Sequence, residues 1–429
     1  MNLDMGTFRV NGVSFGSKTQ LSNGALVINT QELKGRILED RNFADVEFDI
    51  ARPGEPVRII HVTDVVEPRY KVHGPGCVFP GLLGPPTTVG QGITHRLAGV
   101  VVTVVGEPVP GEPIYRREAI IEMSGPAASI VPYGGLTHVT LNLKPNLERF
   151  PQEEAVDVLG GTPRAELYTR STLLAGLKAA TYLAQATADL RPDSMEAYEL
   201  TPCDLSLPRV VFMYQVTRPM FYGAEVPIMW GTAIHPNEIL DGAVVKGASS
   251  LVASGRNTTY LDQNNQVVLE FYRRHGKEVN FLGIVLYGGV TPSVDDKERV
   301  SSVASNMARL LGAQAAILTE HAGSNLSQDA MLCLQKCERA GIKTVLIHHD
   351  VGIGPDDPGF VFFVPEADAI ALTGSREQPV TLPPVKKVIG GTRLLTKDLD
   401  PAGQLPLIMG DIYGANNFLG MSRAMTYLH

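Results

Sequence analysis

The chain has 429 residues, 44% of them hydrophobic and 19% charged, and a formal net charge of -8 at pH 7. This is the composition of an ordinary globular protein with room for two or three domains of roughly 150 residues, and it excludes a disordered or supercharged chain. The negative balance and the lack of any long basic run exclude a nucleic-acid backbone as the main partner.

The start, MNLDMGTFRV, has neither the basic residues nor the apolar stretch of a signal peptide. The longest apolar run, around Gly99 to Gly106, is far short of a membrane span, so a cytoplasmic protein is expected. Cys77, Cys203, Cys333 and Cys337 are too few and too scattered for a disulfide framework, which fits a reducing compartment.

The first predicted elements are short β-branched or alternating runs: Phe8 to Phe15, Ala25 to Ile28, Val46 to Ile50 and Val57 to Val62. Gly and Pro separate them, which predicts a β-rich module with many turns up to about Phe150. Gly and Pro crowd His73 to Gly92 so heavily that it reads as a long loop, and such loops in compact domains are more often functional than idle. It has no phosphate-loop or dinucleotide spacing, so no nucleotide is assigned to it. Cys77 within it is expected to be a small packed residue rather than a reactive thiol.

After Gly160 the period changes. Thr162 and Pro163 read as a helix N-cap with Pro at the first helical position, and Leu167, Leu173, Leu174, Leu177, Ala180, Leu183 and Ala184 approximate one apolar face. Pro192 stops the pattern, Val210 to Val216 reads as a strand, and Trp230 is expected in the core.

Beyond Lys277, strand and helix alternate. Phe281 to Leu286, Ala315 to Leu318, Thr344 to Ile347 and Ala369 to Leu372 read as buried strands. Helices are expected over Pro292 to Leu311, with Val300, Val303, Met307 and Leu310 on one face, and from about Ser327 to Ala340. Such alternation predicts a parallel sheet with helices on its faces. The expected fold is therefore α/β: a β-rich N-terminal module (1–150), a helical connector with a central loop (151–278), and a C-terminal doubly wound parallel-sheet domain (279–429).

Ligands in such sheets collect beyond the carboxyl ends of the strands. Those ends carry Tyr287-Gly288-Gly289, Glu320-His321 and His348-His349-Asp350. Their spacing supports no metal site, and solvated loop residues are the favoured reading. Cys333 and Cys337, four apart on one helix face, are expected to be buried core sulfur rather than a redox pair.

The two halves meet in His235 to Asn265, HPNEILDGAVVKGASSLVASGRNTTYLDQNN. Within it, Gly247-Ala248-Ser249-Ser250 places two hydroxyls among small residues with few backbone restraints; a flexible loop is the simplest reading. HPNEILDGAVV followed by NTTY, QNN and YRRHGK resembles the component B proprotein of glycine, sarcosine and betaine reductase. FGSKT, IARPGEPVRI, VEPRYKV, HGPGCVFPG, TVGQGITH, IEMSGP and NFLGIV extend the resemblance over most of the chain.

In that family this loop carries a cysteine at which the precursor cuts itself, leaving a pyruvoyl group on the new N-terminus. Here no Cys lies between Cys203 and Cys333. Counting forward from DGAVV, the family's cysteine falls near Ser249; counting back from NTTY, it falls near Ser250.

Serine can do the same chemistry. Its hydroxyl attacks the preceding carbonyl, the amide becomes an ester, elimination breaks the side chain's carbon-oxygen bond, and the dehydroalanine loses ammonia to give a ketone. A hydroxyl is far less ionised than a thiol near neutral pH, so it needs a strained peptide or an aligned base. His235 and Asp241 are the nearby candidates for that base, and Gly247 can permit strain. Lys246 can steady developing negative charge, although a solvated lysine is the favoured reading.

The resemblance further implies reductive removal of an amine from glycine, an N-methylated glycine or a similar small amine. It implies a hetero-oligomer with a cysteine- or selenocysteine-containing component B partner subunit. The self-derived pyruvoyl is the one cofactor implied, with no metal or nucleotide. Two other readings stand beside it: an uncleaved subunit whose partner's thiol or selenol does the chemistry, and a non-catalytic scaffold.

Overall fold

The computed structural model describes residues 1–106, 109, 118–150, 163–204, 206–216, 220–225, 231–247, 257–289, 293–320, 325–350, 364–367, 369–415, 417 and 419. Thr162, Trp230, His321, Ser249 and Ser250 lie outside them.

The first 150 residues supply seven of the eight strands of two four-stranded sheets, while Ala25–Ile28 and Val57–Ile59 each lie in a three-stranded sheet. One four-stranded sheet has the order Ser194–Glu199, Asn2–Arg9, Gly92–Ala98, Arg69–His73; the other has Phe43–Ala51, Thr137–Pro145, Val100–Gly106, Val62–Val66. Val100–Gly106 is buried at every position, as expected of an apolar strand covered on both faces. The helix Pro163–Gln185 packs across it with Leu173, Leu177, Ala180 and Leu183 buried. Gly176 allows this close approach, because a Cβ there would collide with a methyl of Val104. The expected apolar face is therefore buried at these four positions and at Ala184, with Leu167 and Leu174 only partly covered.

The six-stranded sheet has the order Gly231–Ile234, Asn280–Gly288, Arg209–Val216, Ala315–Thr319, Lys343–Asp350, Ala369–Ser375. All neighbours are parallel except the first pair. Val294–Leu310 and Asn325–Arg339 cover one face, while Gln266–Arg274 and the short helices Pro236–Leu240 and Thr259–Gln263 cover the other. The four strands expected from sequence are all present. The protein is thus a mixed α/β structure with several sheets, but two expected divisions do not hold.

The sheet does not start at 279, since Arg209–Val216 lies inside it and Gly231–Ile234 forms its antiparallel edge. Nor does the chain stay in it after Ala369–Ser375. Lys387–Ile389 pairs with Val57–Ile59, and Leu382, Leu405, Leu407, Ile412 and Tyr413 share a core with Ile59, Val101, Val105 and Tyr133. Residues 379–415 therefore return as an arm onto the N-terminal sheets, a long-range pairing that no local pattern announces, while Leu419 packs again in the core of the six-stranded sheet.

A third correction concerns the helix Val294–Leu310. Lys297, Val300, Ser301, Ala304, Ser305 and Ala308 are buried, whereas Val303 and Leu310 are exposed. Small residues turn inward here, where this helix meets Asn325–Arg339. Cys333 and Cys337 are buried in the same core, as expected. Among the described residues no helix is long and apolar enough to cross a membrane.

Candidate functional site

The stretch from His235 opens as a helix because Pro236 sits at its first position and His235 caps it. His235 Nδ1 accepts from the Asn237 N–H at 3.2 Å, and its own N–H donates to Glu238 Oε1 at 2.7 Å. Burial lowers the His235 pKa to about 4, so the ring is neutral and can accept.

Asp241, fully buried, ends the helix. It accepts from Lys71 Nζ, from Gly90 N–H at 2.8 Å and from Thr94 Oγ1 at 2.6 Å. Asn237 Nδ2 adds a bond to Gly90 O at 3.1 Å. Of the two candidate bases, His235 thus caps its own helix, and Asp241 ties that helix to Lys71, to Thr94 and to Gly90 of the Gly/Pro-rich loop.

A second polar group lies at the two ends of the 248–256 segment. Lys246 is buried, contrary to the solvated reading: Nζ donates to Thr63 O and, at 2.8 Å, to the Tyr413 hydroxyl. Its backbone N–H donates to Thr259 Oγ1 at 3.2 Å. Thr259 in turn donates to Asp64, from Oγ1 at 2.5 Å and from its backbone N–H at 3.0 Å. Burial raises the pKa of Asp64, with the nearby Lys246 charge and these bonds opposing the shift.

On the other side, Asn257 Nδ2 donates to the Tyr214 hydroxyl at 3.3 Å, and Tyr214 donates to Asp262 Oδ1 at 2.7 Å. Burial, reinforced by the charge of Asp64 and opposed by the Tyr214 bond, pushes the Asp262 pKa up to about 7. Asn257 Oδ1 is buried with no hydrogen-bond partner, a cost a fold does not normally carry without cause.

The helix Thr259–Gln263 packs against Val62–Val66. Tyr214 comes from the six-stranded sheet, Asp64 from an N-terminal sheet and Tyr413 from the C-terminal arm. All three bodies of the protein therefore converge on the anchors of this one segment.

Sequence reasoning missed Asp64, Tyr214, Asn257, Thr259, Asp262 and Tyr413. A signal existed for Asp64, an acid inside the β-branched run VTDVV, and for the polar density of NTTYLDQNN. Tyr214 and Tyr413 carried none. Sequence also misjudged the carboxyl edge of the sheet: Glu320 and His348 are fully buried and in contact, not solvated loop residues. Nearby, on the helices Val294–Leu310 and Asn325–Arg339, Lys297 and Asp329 form a buried ion pair at 3.0 Å.

A carboxyl group whose pKa is higher folded than unfolded destabilises the fold as it ionises. For Asp262 this penalty is absent below about pH 4, grows as pH rises, and is complete above about pH 7. Asp262→Asn should therefore melt like the wild type near pH 4 and be more stable at pH 8, by about 3 to 4 kcal/mol. Denaturant unfolding at the two pH values checks this, and an Asn variant less stable at both refutes it.

The model for glycine/sarcosine/betaine reductase component B subunits matches residues 1–406. The chain is 32% identical over 405 residues to the glycine reductase complex component B subunits alpha and beta of Acetoanaerobium sticklandii, covering 91% of this chain and 89% of that protein. It is 33% identical over 403 residues to the sarcosine reductase complex component B subunit alpha of Peptoclostridium acidaminophilum, covering 91% and 89%. The betaine reductase complex component B subunit alpha of the same organism is 33% identical over 414 residues, covering 93% and 90%. No solved structure gives a significant match. With the family model spanning nearly its whole length, this chain belongs to the glycine/sarcosine/betaine reductase component B subunits.

Proposed function

We propose that this chain is the substrate-binding subunit of a glycine/sarcosine/betaine reductase-like complex, in which a carbon-nitrogen bond of a small amine is cleaved reductively. We further infer that Ser249 or Ser250 is converted to a pyruvoyl group by main-chain cleavage. A partner subunit bearing a cysteine or selenocysteine would supply the nucleophile. The observation that carries this reading is the convergence of three parts of the fold on both ends of the 248–256 segment, in a chain of this family.

The residues present fit such a group. Lys246 is a buried cation suited to negative charge on an oxygen, held by the Tyr413 hydroxyl, which itself donates to Thr63 O at 2.5 Å, and Asn257 Oδ1 is a buried acceptor without a donor. When formed, the ketone would draw electrons from the substrate's carbon-nitrogen bond. The protein's own part is to exclude water, as the burial of Asp64, Lys246, Asn257 and Asp262 requires, and to present those donors and acceptors.

A second reading rests on the lack of cysteine between Cys203 and Cys333: an intact chain binds the substrate, and the partner's thiol or selenol does the chemistry. Denaturing mass spectrometry of freshly purified protein, repeated after borohydride with glycine or sarcosine, separates the two. Cleavage predicts two fragments, the second beginning at 249 or 250 with a blocked terminus and gaining mass on reduction with the amine. Under native conditions they should co-elute, because Arg209–Val216 and Asn280–Gly288, from opposite sides of the break, are neighbours in one sheet. A single unbroken chain with no mass gain selects the second reading.

A further inference from the structure

Past the strand Lys387–Ile389 the chain turns around His61. Two glycines permit the turn: a Cβ on Gly390 would collide with the Ile60 carbonyl oxygen, and one on Gly391 would stand 2.9 Å from Cε1 of the His61 ring. His61 is buried and held at φ 56°, a left-handed conformation that a non-glycine residue keeps only where its surroundings fix it, and its Nδ1 donates to Gly390 O at 2.9 Å. Further along, the buried carboxylate of Glu118 accepts from the N–H groups of Leu395 (2.8 Å) and Thr396 (2.7 Å) and from the Thr396 hydroxyl (2.9 Å). The loop is therefore irregular but pinned at its start and its middle.

Between His61 and this loop lies a cavity of about 550 Å³, within the span of small-molecule sites, and its wall carries Arg393, Lys397 and Asp398. Arg393 and Asp398 are exposed and Lys397 is half-buried; among the described contacts none of the three is in an ion pair. Two cations and one acid around a single cavity match a molecule with a carboxylate at one end and a positively charged nitrogen at the other. An inorganic anion such as phosphate would satisfy the two cations but face Asp398 with like charge.

We propose that this cavity binds the small amine substrate as a zwitterion, with Arg393 and Lys397 on its carboxylate and Asp398 on its charged nitrogen. This rests on the reading of the chain as a substrate-binding subunit. The placement suits that role. His61 leads directly into Val62–Val66, and the carbonyl of Thr63, two residues on, receives Lys246 Nζ and the Tyr413 hydroxyl. The cavity and the buried lysine thus flank one short length of main chain.

Equilibrium dialysis of the purified full-length chain with radiolabelled glycine, sarcosine and betaine tests the proposal. Betaine is included because its quaternary nitrogen cannot condense with a ketone, so its retention reports non-covalent contacts alone. Wild type should retain at least one of the three, and acetate and methylamine, each carrying half of the charge pattern, should compete at least about 10-fold less well. Arg393→Ala combined with Lys397→Ala should weaken zwitterion binding at least about 10-fold. Asp398→Asn should weaken the zwitterion and leave acetate no weaker than in wild type. Arg191→Ala, which removes a charge from a different cavity, should bind like wild type.

Thermal melts establish that each variant is folded. If wild type retains a zwitterion and the double variant and Asp398→Asn retain it equally well, the substrate sits elsewhere and this proposal fails, while the substrate-binding reading stands. If acetate or phosphate competes as well as the zwitterion itself, the cavity is a general anion site and the zwitterion assignment is wrong. If wild type retains none of the three, the substrate-binding reading itself fails and takes this proposal with it.

Discussion

Ser249→Ala combined with Ser250→Ala is expected to yield one unbroken polypeptide, with cleavage reduced below detection. The step needs a nucleophilic atom on the β-carbon of the residue directly after the carbonyl it attacks, and alanine supplies none. The two small residues just before them in sequence, Gly247 and Ala248, place few steric restraints on that part of the main chain. The single variants identify the reacting position, since one should block cleavage and the other should not.

Serine to cysteine at that position is a gain-of-function control. A thiol ionises near pH 8.5 and attacks far more readily than a hydroxyl, so cleavage should become faster. Two fragments still appearing in the double alanine variant would show that the break lies elsewhere.

The second large effect is structural. Arg58 is fully buried, pairs with the Glu122 carboxylate, and donates to the carbonyls of Pro383 (2.7 Å), Gly403 (3.0 Å) and Pro401. It therefore holds the C-terminal arm to the N-terminal sheets, beside the parallel pairing of Val57–Ile59 with Lys387–Ile389. Arg58→Met removes the charge and leaves Glu122 buried without its cation, together with three carbonyls without a donor. Breaking a buried pair in this way costs about 3 to 5 kcal/mol.

Because Tyr413 rides on the same arm and binds Lys246, the variant should also slow cleavage. Urea unfolding measures the first effect and timed mass spectrometry the second. Adding Glu122→Leu should restore much of the stability, since the unpaired carboxylate is then gone. A loss under about 1 kcal/mol for Arg58→Met would show that the arm is held by its apolar contacts alone.

Much of the architecture could be read from local pattern. The apolar runs at 281–286, 315–318, 344–347 and 369–372 fall within four observed strands of the large sheet, and the expected face of Pro163–Gln185 is buried at all but Leu167 and Leu174. Cys333 and Cys337 point into the core as their spacing on a helix indicated. The helix Val294–Leu310 shows the limit of that reading. Its periodicity located the helix, but the face was set by a neighbouring helix that takes small residues, so Ala304 and Ala308 went inward and Val303 and Leu310 stayed out.

The candidate site was legible as a segment and not as a constellation. Lys246 looked solvated because lysines usually are, yet its partners Thr63 and Tyr413 lie 183 and 167 residues away along the chain. Asp64 and Thr259 are 195 residues apart. His235 and Asp241 drew attention by proximity in sequence, whereas in space they serve the helix cap and the loop at Gly90.

By itself the sequence determined the strands and helices, the family, and the stretch where function was to be sought, because dihedral preference, side-chain periodicity and motif spacing are properties of neighbouring residues. Only the tertiary structure decided which charges are buried, which carboxylate stands beside which phenol, and that the C-terminal arm returns to the N-terminal sheets. Desolvation and hydrogen bonding depend on what surrounds a group in space, and here the surroundings arrive from more than a hundred residues away.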